Sequence, residues 1–208
     1  MDKFYNVLVT SLEMIRDRGF TVSKNDFDLD YNIFKYKYNL YTTSDSHDHI
    51  FDFFYESVLQ KILVTYIKDD ITIKQTVDFL KDEYELKKED TLVLVLTMDE
   101  DGINLKKLKN MLRDSYANLG GCRVQVFILN ELAFNITKHV LVPAHRQLSP
   151  IEVDKLVKKY SLTSLQQLPC LYSTDPVAKY YNFKKKSICE ITRTNVQSGI
   201  SKAYRLIV

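Results

Sequence analysis

The 208-residue sequence has no tryptophan and only five glycines, four prolines and three cysteines. Its cysteines, Cys122, Cys170 and Cys189, form no C-x-x-C pair, so the pattern indicates neither a disulfide framework nor a thiolate zinc site. No run of 18 uncharged apolar residues occurs, and the first residues mix charged and apolar side chains. We therefore predict neither a membrane span nor a signal peptide, and expect a soluble protein.

Several enzyme motifs are also missing. The sequence contains no G-x-G-x-x-G, no P-loop and no G-x-S-x-G, so nucleotide-binding and serine-hydrolase functions have no support. One enzyme class remains as the alternative, a metal-dependent nuclease of the α/β acid-x-lysine type. Glu85-Leu86-Lys87 provides the acid and the lysine with which such an enzyme holds a divalent ion and orients water. Glu85, however, closes a predicted helix, whereas these enzymes present the acid on a strand.

The composition is that of an ordinary globular protein, with 45% hydrophobic and 27% charged residues. Its net charge of +2 conceals an asymmetry between two parts of the chain. Residues 1–137 hold 17 Lys and Arg against 23 Asp and Glu, whereas residues 138–208 hold 12 against 4. This difference favours two domains with different partners. The basic domain would face either nucleic acid or an acidic protein surface.

The first 134 residues follow the pattern of an α/β domain. Helical spacing of apolar residues predicts an opening helix from Phe4 to Arg18, with Gly19 as its C-cap. Strand-like segments at 62–67, 91–97 and 123–129 alternate with helical segments at 72–86 and 104–119. Such a βαβαβ order predicts a parallel sheet covered by helices. The stretch 26–52 has no clear assignment, and we interpret its histidines, His47 and His49, as solvated loop residues.

The remaining residues follow the pattern of a small α+β domain of about 70 residues. Ser149-Pro150 and Glu152 provide an N-cap, a proline at the first helical position and a capping-box acid. Asp175-Pro176 repeats this helix start. A turn ending at Gly199 separates two predicted strands, at 187–193 and 202–208.

A series of motifs runs through this second domain, from Asn135 to the last residue. It comprises a His, a Leu-Val-Pro-x-His, a Gln-Leu-Pro, an Asp-Pro-Val-Ala-x-Tyr, a strand ending in Arg, and a glycine turn before Tyr-Arg. The residues are His139, Leu141, Val142, Pro143, His145, Gln167, Leu168, Pro169, Asp175, Pro176, Val177, Ala178, Tyr180, Arg193, Gly199, Tyr204 and Arg205. Together with residues 11–20, similar to the family's opening helix, they resemble the fifth subunit common to eukaryotic RNA polymerases I, II and III.

The resemblance implies an α/β N-terminal jaw-like domain at 1–134. It also implies a small α+β C-terminal assembly domain at 135–208, similar to the short archaeal polymerase subunit that corresponds to this domain alone. It implies a non-catalytic subunit that docks on the largest polymerase subunit and forms part of the lower jaw near downstream duplex DNA. We therefore expect no cofactor, metal, membrane or small-molecule partner. The location would be the nucleus for a cellular protein, and the host cytoplasm or virion for a divergent homologue from a large DNA virus.

The motif residues are accordingly the candidate assembly interface, above all the strand from Lys202 to Val208 and the helix from Asp175 to Tyr181. Two residues depart from the family pattern: Lys186 replaces a usual Gly, and Glu190 replaces a frequent Lys. His139 and His145 lack neighbouring metal ligands, and we interpret both as hydrogen-bonding groups that fix the segment between the domains.

Two basic clusters are candidates for contact with charged partners. Four cations lie at or beyond the start of the helix predicted at 104–119, where free N–H groups and basic side chains suit a phosphate backbone. These candidate DNA contacts are Lys106, Lys107, Lys109 and Arg113. The run from Lys184 to Lys186, with Arg193, is more typical of a solvated turn or of docking on an acidic partner than of nucleic-acid binding.

Overall fold

The computed structural model describes residues 3–27, 31–34, 36, 49–67, 73–96, 122–195 and 199–208. The chain divides into two compact units, Met1–Phe134 and Asn135–Val208, which we call the N-terminal and C-terminal units. Each unit has a four-stranded sheet of its own and contains helices. In the part of the chain that is described, no helix has the length and apolarity that a membrane crossing requires.

The N-terminal unit opens with helix α1, Lys3–Asp17, as predicted. Gly19 ends the helix with a φ of 93°, a conformation that glycine adopts without steric cost. The amide of Gly19 donates to Arg16 O at 2.9 Å, and that of Phe20 donates to Ile15 O at 3.3 Å, which satisfies carbonyls at the helix end. A single-turn helix, α2, follows at Lys24–Phe27, and residues 31–34 are also helical.

The sheet of this unit has the order β1-β2-β3-β4. Its strands are β1, His49–Glu56, β2, Lys61–Ile67, β3, Thr91–Leu96, and β4, Arg123–Ile128. β2, β3 and β4 run parallel, and helix α3, Ile73–Glu83, connects β2 to β3. The predicted parallel sheet is therefore confirmed, while the helix predicted at 104–119 lies outside the described residues.

Strand β1 was not predicted from the sequence pattern. It pairs antiparallel with β2, so His49 lies in a strand, and the interpretation of this residue as part of a loop was wrong. Asp52 interrupts the apolar pattern of the strand, but its carboxylate accepts a hydrogen bond from the Thr65 hydroxyl on β2. This cross-strand partner allows an acid to occupy the middle of a strand.

The core of the N-terminal unit lies against β2 and β3. All six residues of β3 are buried, and Val77 and Leu80 of α3 pack into the same cluster. Tyr66 of β2 is fully buried and donates its hydroxyl to Ser11 Oγ of α1 at 2.8 Å; Ser11 Oγ in turn donates to Val7 O at 2.8 Å. Burial raises the pKa of Tyr66 well above its ordinary value. This chain of neutral groups satisfies the polar atoms buried between helix and sheet.

The C-terminal unit contains an open sheet with the order β5-β7-β8-β6. Its strands are β5, Ala144–Gln147, β6, Cys170–Leu171, β7, Ile188–Asn195, and β8, Gly199–Ile207. β7 pairs antiparallel with β5 and β8, whereas β6 runs parallel to β8. The two predicted terminal strands are confirmed. β5 and β6 escaped prediction because four and two residues are too few to show a period.

Two helices pack on this sheet, α4, Pro150–Tyr160, and α5, Pro176–Tyr180. Among the described residues, single-turn 3-10 helices occupy connections at Leu129–Leu132 in the N-terminal unit and at Ile136–Lys138 and Leu165–Gln167 in the C-terminal unit. The predicted capping box of α4 is present, because Ser149 N donates to Glu152 Oε2 at 2.8 Å and Ser149 Oγ accepts from Glu152 N at 3.4 Å.

The sheet of the C-terminal unit is packed on both faces. Ile188 of β7 lies in one cluster with Leu148 and with Leu156 of α4. The next residue along the strand, Cys189, lies in a second cluster with Ala178 of α5. Alternate residues of β7 therefore serve opposite faces, as the period of a strand requires.

Candidate functional site

The two histidines of the Leu-Val-Pro-x-His motif stabilise the segment around them. His139 Nδ1 accepts a hydrogen bond from Leu141 N at 3.2 Å. His145 Nδ1 lies 2.7 Å from Pro143 O, so Nδ1 is the donor of this hydrogen bond, because a carbonyl only accepts. Leu141 itself is 82% exposed between these two rings. The segment is thus held by its histidines while it presents an apolar side chain to solvent.

The Asp-Pro-Val-Ala-x-Tyr motif builds helix α5. Asp175 caps the helix, and its Oδ1 accepts from Val177 N at 2.9 Å and from Ala178 N at 3.3 Å. Val177, Ala178 and Tyr180 are buried. The Tyr180 hydroxyl accepts from Asn135 Nδ2 at 3.0 Å. These residues support the fold of the unit, and only Pro176 at the helix start is exposed.

The Gln-Leu-Pro motif attaches its loop to strand β8. Pro169 O accepts from Leu206 N at 2.9 Å, while Leu168 packs against the α4 side of the core. Gln167 Oε1 accepts from Thr163 N at 3.0 Å. A guanidinium nitrogen of Arg205 donates to Cys170 O at 3.1 Å. The loop and β8 are therefore joined by hydrogen bonds, although the sequence separates the bonded residues by more than 30 positions.

The β7–β8 hairpin presents two further motif residues to solvent. Arg193 is exposed near the end of β7. Gly199 opens β8 with a φ of 74°, a left-handed conformation that favours glycine. Tyr204, further along β8, is half-buried, with its ring centre 6.0 Å from that of Tyr160 on α4.

An ion network that the motifs did not indicate lies beside Tyr204. Glu190 of β7 is directly opposite Arg146 of β5 on one side and Tyr204 of β8 on the other. Its carboxylate accepts from Arg146 at 2.9 Å and from the Lys202 ammonium at 3.2 Å. The other terminal nitrogen of Arg146 donates to Glu152 of α4 at 2.7 Å. The Glu190 side chain is only 8% exposed, whereas those of Arg146 and Lys202 are each 51% exposed.

Hydrogen bonds lower the pKa of both carboxyls. For Glu152, the hydrogen bond from the Ser149 backbone, followed by that from Arg146, lowers the pKa from 4.5 to about 2. Burial raises the pKa of Glu190, but hydrogen bonds from Arg146 and Lys202 outweigh it and lower the pKa below its ordinary value. Burial and the neighbouring Glu190 together raise the pKa of Tyr204. At neutral pH both carboxylates are ionised.

These residues surround a cleft of about 210 Å³ between α4 and the sheet, which we call the Glu190 cleft. Its apolar floor is formed by Leu148 and Leu156. The other lining residues are charged or aromatic: Arg146, Glu152, Lys155, Lys159, Glu190, Lys202 and Tyr204. Four cations thus face two carboxylates.

The two basic clusters predicted from the sequence have different outcomes. Lys106, Lys107, Lys109 and Arg113 lie outside the described residues. The run from Lys184 to Lys186 is exposed in the turn before β7. Lys186 has a φ of 66°, so a lysine occupies a left-handed conformation at the position where the family pattern has glycine.

The nuclease alternative finds no support. Glu85 follows α3 in an exposed turn with a φ of 49° and is not on a strand. The nearby buried acid, Asp90, accepts backbone hydrogen bonds from Lys61 at 2.7 Å and from Lys87 at 2.6 Å, which is a structural role. Within the described ranges, no three His, Cys, Asp or Glu side chains gather as a metal ion would require.

One feature of the sequence could have indicated that Glu190 lies in an ion network. Glu190 stands between apolar residues in the strand Ile188–Asn195, where an acid needs a cationic partner if the strand is packed on both faces. The partners Arg146 and Lys202 come from two other strands, and their register could not be read from the sequence.

Comparison with protein families assigns both parts of the chain. Residues 134–207 match the family described as RNA polymerase Rpb5, C-terminal domain. Residues 1–114 match the family described as RNA polymerase Rpb5, N-terminal domain.

The chain is also similar in sequence to individual RNA polymerase subunits. Subunit 5B of DNA-directed RNA polymerases IV and V from Arabidopsis thaliana is 29% identical over 209 residues, which cover 99% of this chain and 89% of that protein. Subunit RPABC1 of RNA polymerases I, II and III from Caenorhabditis elegans is 23% identical, over 99% of this chain and 96% of that protein. Subunit Rpo5 from Pyrococcus horikoshii is 44% identical over 75 residues, which cover 36% of this chain and 90% of that protein.

Proposed function

This chain belongs to the RNA polymerase Rpb5 family, whose members are non-catalytic polymerase subunits, and we propose that it docks on the largest polymerase subunit through its C-terminal unit. The observation that supports this proposal is how much of the Pyrococcus protein is covered by the similarity. That protein matches over 90% of its length, and the match covers only about a third of this chain. The matched length of 75 residues is close to that of the C-terminal unit, which the C-terminal family model covers, so we assign the shared function to this unit.

The docking surface includes the exposed motif residues of this unit. Leu141, Pro169 and Arg193 are exposed, whereas Val177, Ala178 and Tyr180 are buried and hold the surface in place. Leu141 suits such a contact because an apolar side chain that is 82% exposed gains free energy when a partner covers it.

The N-terminal unit forms part of the jaw near downstream duplex DNA in this proposal. Lys106, Lys107, Lys109 and Arg113 are the candidate contacts with phosphates. Such contacts weaken as salt displaces them, so we expect them to steer duplex DNA without reading its sequence. The eukaryotic relatives imply that a cellular protein of this kind works in the nucleus.

The proposal is tested by recovery of the polymerase with a tagged copy of the full chain from its native source. We expect the two largest polymerase subunits to be recovered in equal amounts, as measured by quantitative mass spectrometry. A tagged chain that recovers no polymerase subunits would contradict the docking function.

The position of the interface is tested by a matched pair of variants. Leu141→Asp places a charge on an exposed motif residue, and Val140→Asp does so at its neighbour, which is 95% exposed and outside the motif. We expect Leu141→Asp to lower incorporation into the polymerase about tenfold and Val140→Asp to have a much smaller effect. Equal incorporation of the two variants would exclude Leu141 from the interface.

A further inference from the structure

The Glu190 cleft has more positive than negative charge, and not all of its cations are paired with a carboxylate. Arg146 and Lys202 bind Glu190, and Arg146 also binds Glu152. Lys155 and Lys159 line the same cleft and form no ion pair with another described residue, although the Lys159 ammonium lies 5.4 Å from the centre of the Tyr160 ring. They are four residues apart on α4, so their side chains extend over the same turn of the helix.

The engaged cations also keep part of their binding capacity. The side chains of Arg146 and Lys202 are half-exposed, although both contact the buried carboxylate of Glu190. Arg146 and Lys202 therefore neutralise the charge of Glu190, while N–H donors of both cations remain accessible from the cleft. A carboxylate entering the cleft would meet four cations and no unpaired acid.

The cleft ends at a strand edge whose backbone groups are open. Leu206 N donates to Pro169 O on the β6 side of β8, whereas Ile207 N donates towards β7, to Ser187 O. Since backbone direction alternates along a strand, the even-numbered residues from 200 to 204 also point to the β6 side. β6 pairs only with Leu206 and Ile207. Among the described residues, no strand covers the edge of β8 between 200 and 204.

An extended chain segment could bind to the Glu190 cleft and to the open edge of β8 at the same time. Lys202 and Tyr204 belong to the open part of β8 and also line the Glu190 cleft. A segment that adds a strand to this edge would have alternate side chains directed over the cleft. Acidic residues at those positions would lie near Lys155 and Lys159, and an apolar one would reach the floor formed by Leu148 and Leu156.

We propose that the Glu190 cleft and the adjoining edge of β8 bind an acidic, extended segment of a neighbouring polymerase subunit. This inference rests on the proposed function, because it assumes that the chain is part of a polymerase. It goes further by assigning a second contact, through residues other than Leu141, and by stating the chemistry of the partner segment. Strand addition provides the affinity, and the lysines select for acidic side chains.

The first test compares two charge reversals on the same helix turn. Lys159→Glu changes a residue of the cleft, whereas Lys158→Glu changes its exposed neighbour, which does not line the cleft. Each variant is expressed with the wild-type chain under a different tag, the polymerase is purified through its largest subunit, and the ratio of incorporated chains is measured. We expect Lys159→Glu to be depleted about five- to tenfold and Lys158→Glu less than twofold.

The second test identifies the segment that occupies the cleft. A photo-crosslinking amino acid is placed at Ile200, which is 71% exposed at the open edge, and the crosslinked peptides of the assembled polymerase are sequenced. An acidic segment of another polymerase subunit is the expected product. Crosslinks to DNA, RNA or a segment without acidic residues, or no crosslink at all, would overturn the proposal.

The proposed polymerase function and the proposed role of the cleft give different experimental results when they are wrong. If the wild-type chain recovers no polymerase, the proposed function itself is wrong. If the wild-type chain is incorporated but Lys159→Glu and Lys158→Glu are incorporated equally, only the role of the cleft is wrong. Thermal unfolding of both variants, expected within about 2 °C of the wild type, excludes a folding defect as the cause of depletion.

Discussion

The two units of this protein satisfy their buried polar groups by different means. In the N-terminal unit, Tyr66, Ser11 and the carbonyl of Val7 form a chain of neutral hydrogen bonds between sheet and helix. In the C-terminal unit, Glu190 is buried and ionised, and its cationic partners are half-exposed. Neutral groups suit the dry interior because they carry no desolvation cost for charge, whereas an ion is tolerated where its partners reach water.

This difference bears on function as well as on stability. The neutral network of Tyr66 is enclosed and offers nothing to a partner. The charged network of Glu190 lies at the base of an open cleft, so the groups that stabilise the unit also shape a surface for recognition. Changes to the C-terminal network should therefore respond to pH and salt, and changes to the N-terminal one should not.

The largest effect is expected from a cavity in the N-terminal sheet. Leu94 is fully buried in the central strand β3, so Leu94→Ala should lower the free energy of unfolding of this unit by about 3 kcal/mol. Urea unfolding followed by NMR amide signals assigned to each unit measures the change. Signals of the C-terminal unit should keep their midpoint, because Leu94 belongs to a core of the other unit. A parallel shift of both midpoints would show that the units unfold together.

Removal of the buried charge of Glu190 tests the difference between the charged network of the C-terminal unit and the neutral network of the N-terminal unit. Glu190→Gln should destabilise the C-terminal unit by about 1–2 kcal/mol, since two charge-assisted hydrogen bonds are weakened. The matched change in the other unit, Tyr66→Phe, should cost about 1 kcal/mol. The effect of Glu190→Gln should shrink between about 0.05 and 1 M salt, and that of Tyr66→Phe should stay constant. Equal salt dependence of the two variants would contradict the proposed difference between the charged and the neutral network.

Acid should affect the C-terminal unit through Glu152 and Glu190. A carboxyl whose pKa is lowered by folding contributes stability above its unfolded pKa and loses that contribution as pH falls through the folded pKa. For Glu152 this interval runs from 4.5 to about 2. Glu152→Gln should reduce the loss of stability across this interval, measured as the change in thermal midpoint of C-terminal amide signals. An unchanged pH profile would contradict a lowered pKa of Glu152.

The smallest effect is a gain in stability at the turn before β7. Lys186 adopts a φ of 66°, so Lys186→Gly should relieve steric strain and stabilise the C-terminal unit by about 0.5–1 kcal/mol. Lys185→Gly, at the exposed neighbour without a positive φ, should instead destabilise it slightly. Thermal unfolding of the two variants distinguishes the backbone effect from the loss of a positive charge. Shifts of the same sign in both would exclude strain at Lys186.

The sequence predicted the elements whose signals are local. The apolar run of β3, the spacing of α1 before Gly19 and the capping box at Ser149 each depend on residues close together in the chain, and all three were confirmed. β1 was missed because Asp52 breaks its apolar pattern, and the hydrogen bond that accommodates this acid comes from Thr65 on another strand.

What the sequence by itself determined was helix α1, the parallel strands β2, β3 and β4, the terminal strands β7 and β8, the family and the motif residues of the C-terminal unit, because these depend on residue types at fixed spacings. Only the tertiary structure decided that Asp175 and Tyr180 support the core while Leu141 and Arg193 face solvent. It alone brought Arg146, Glu190 and Lys202 together to form the cleft. The reason is physical: the register between strands is set by packing across the whole sheet, and a shift of one residue would direct Glu190 to the opposite face.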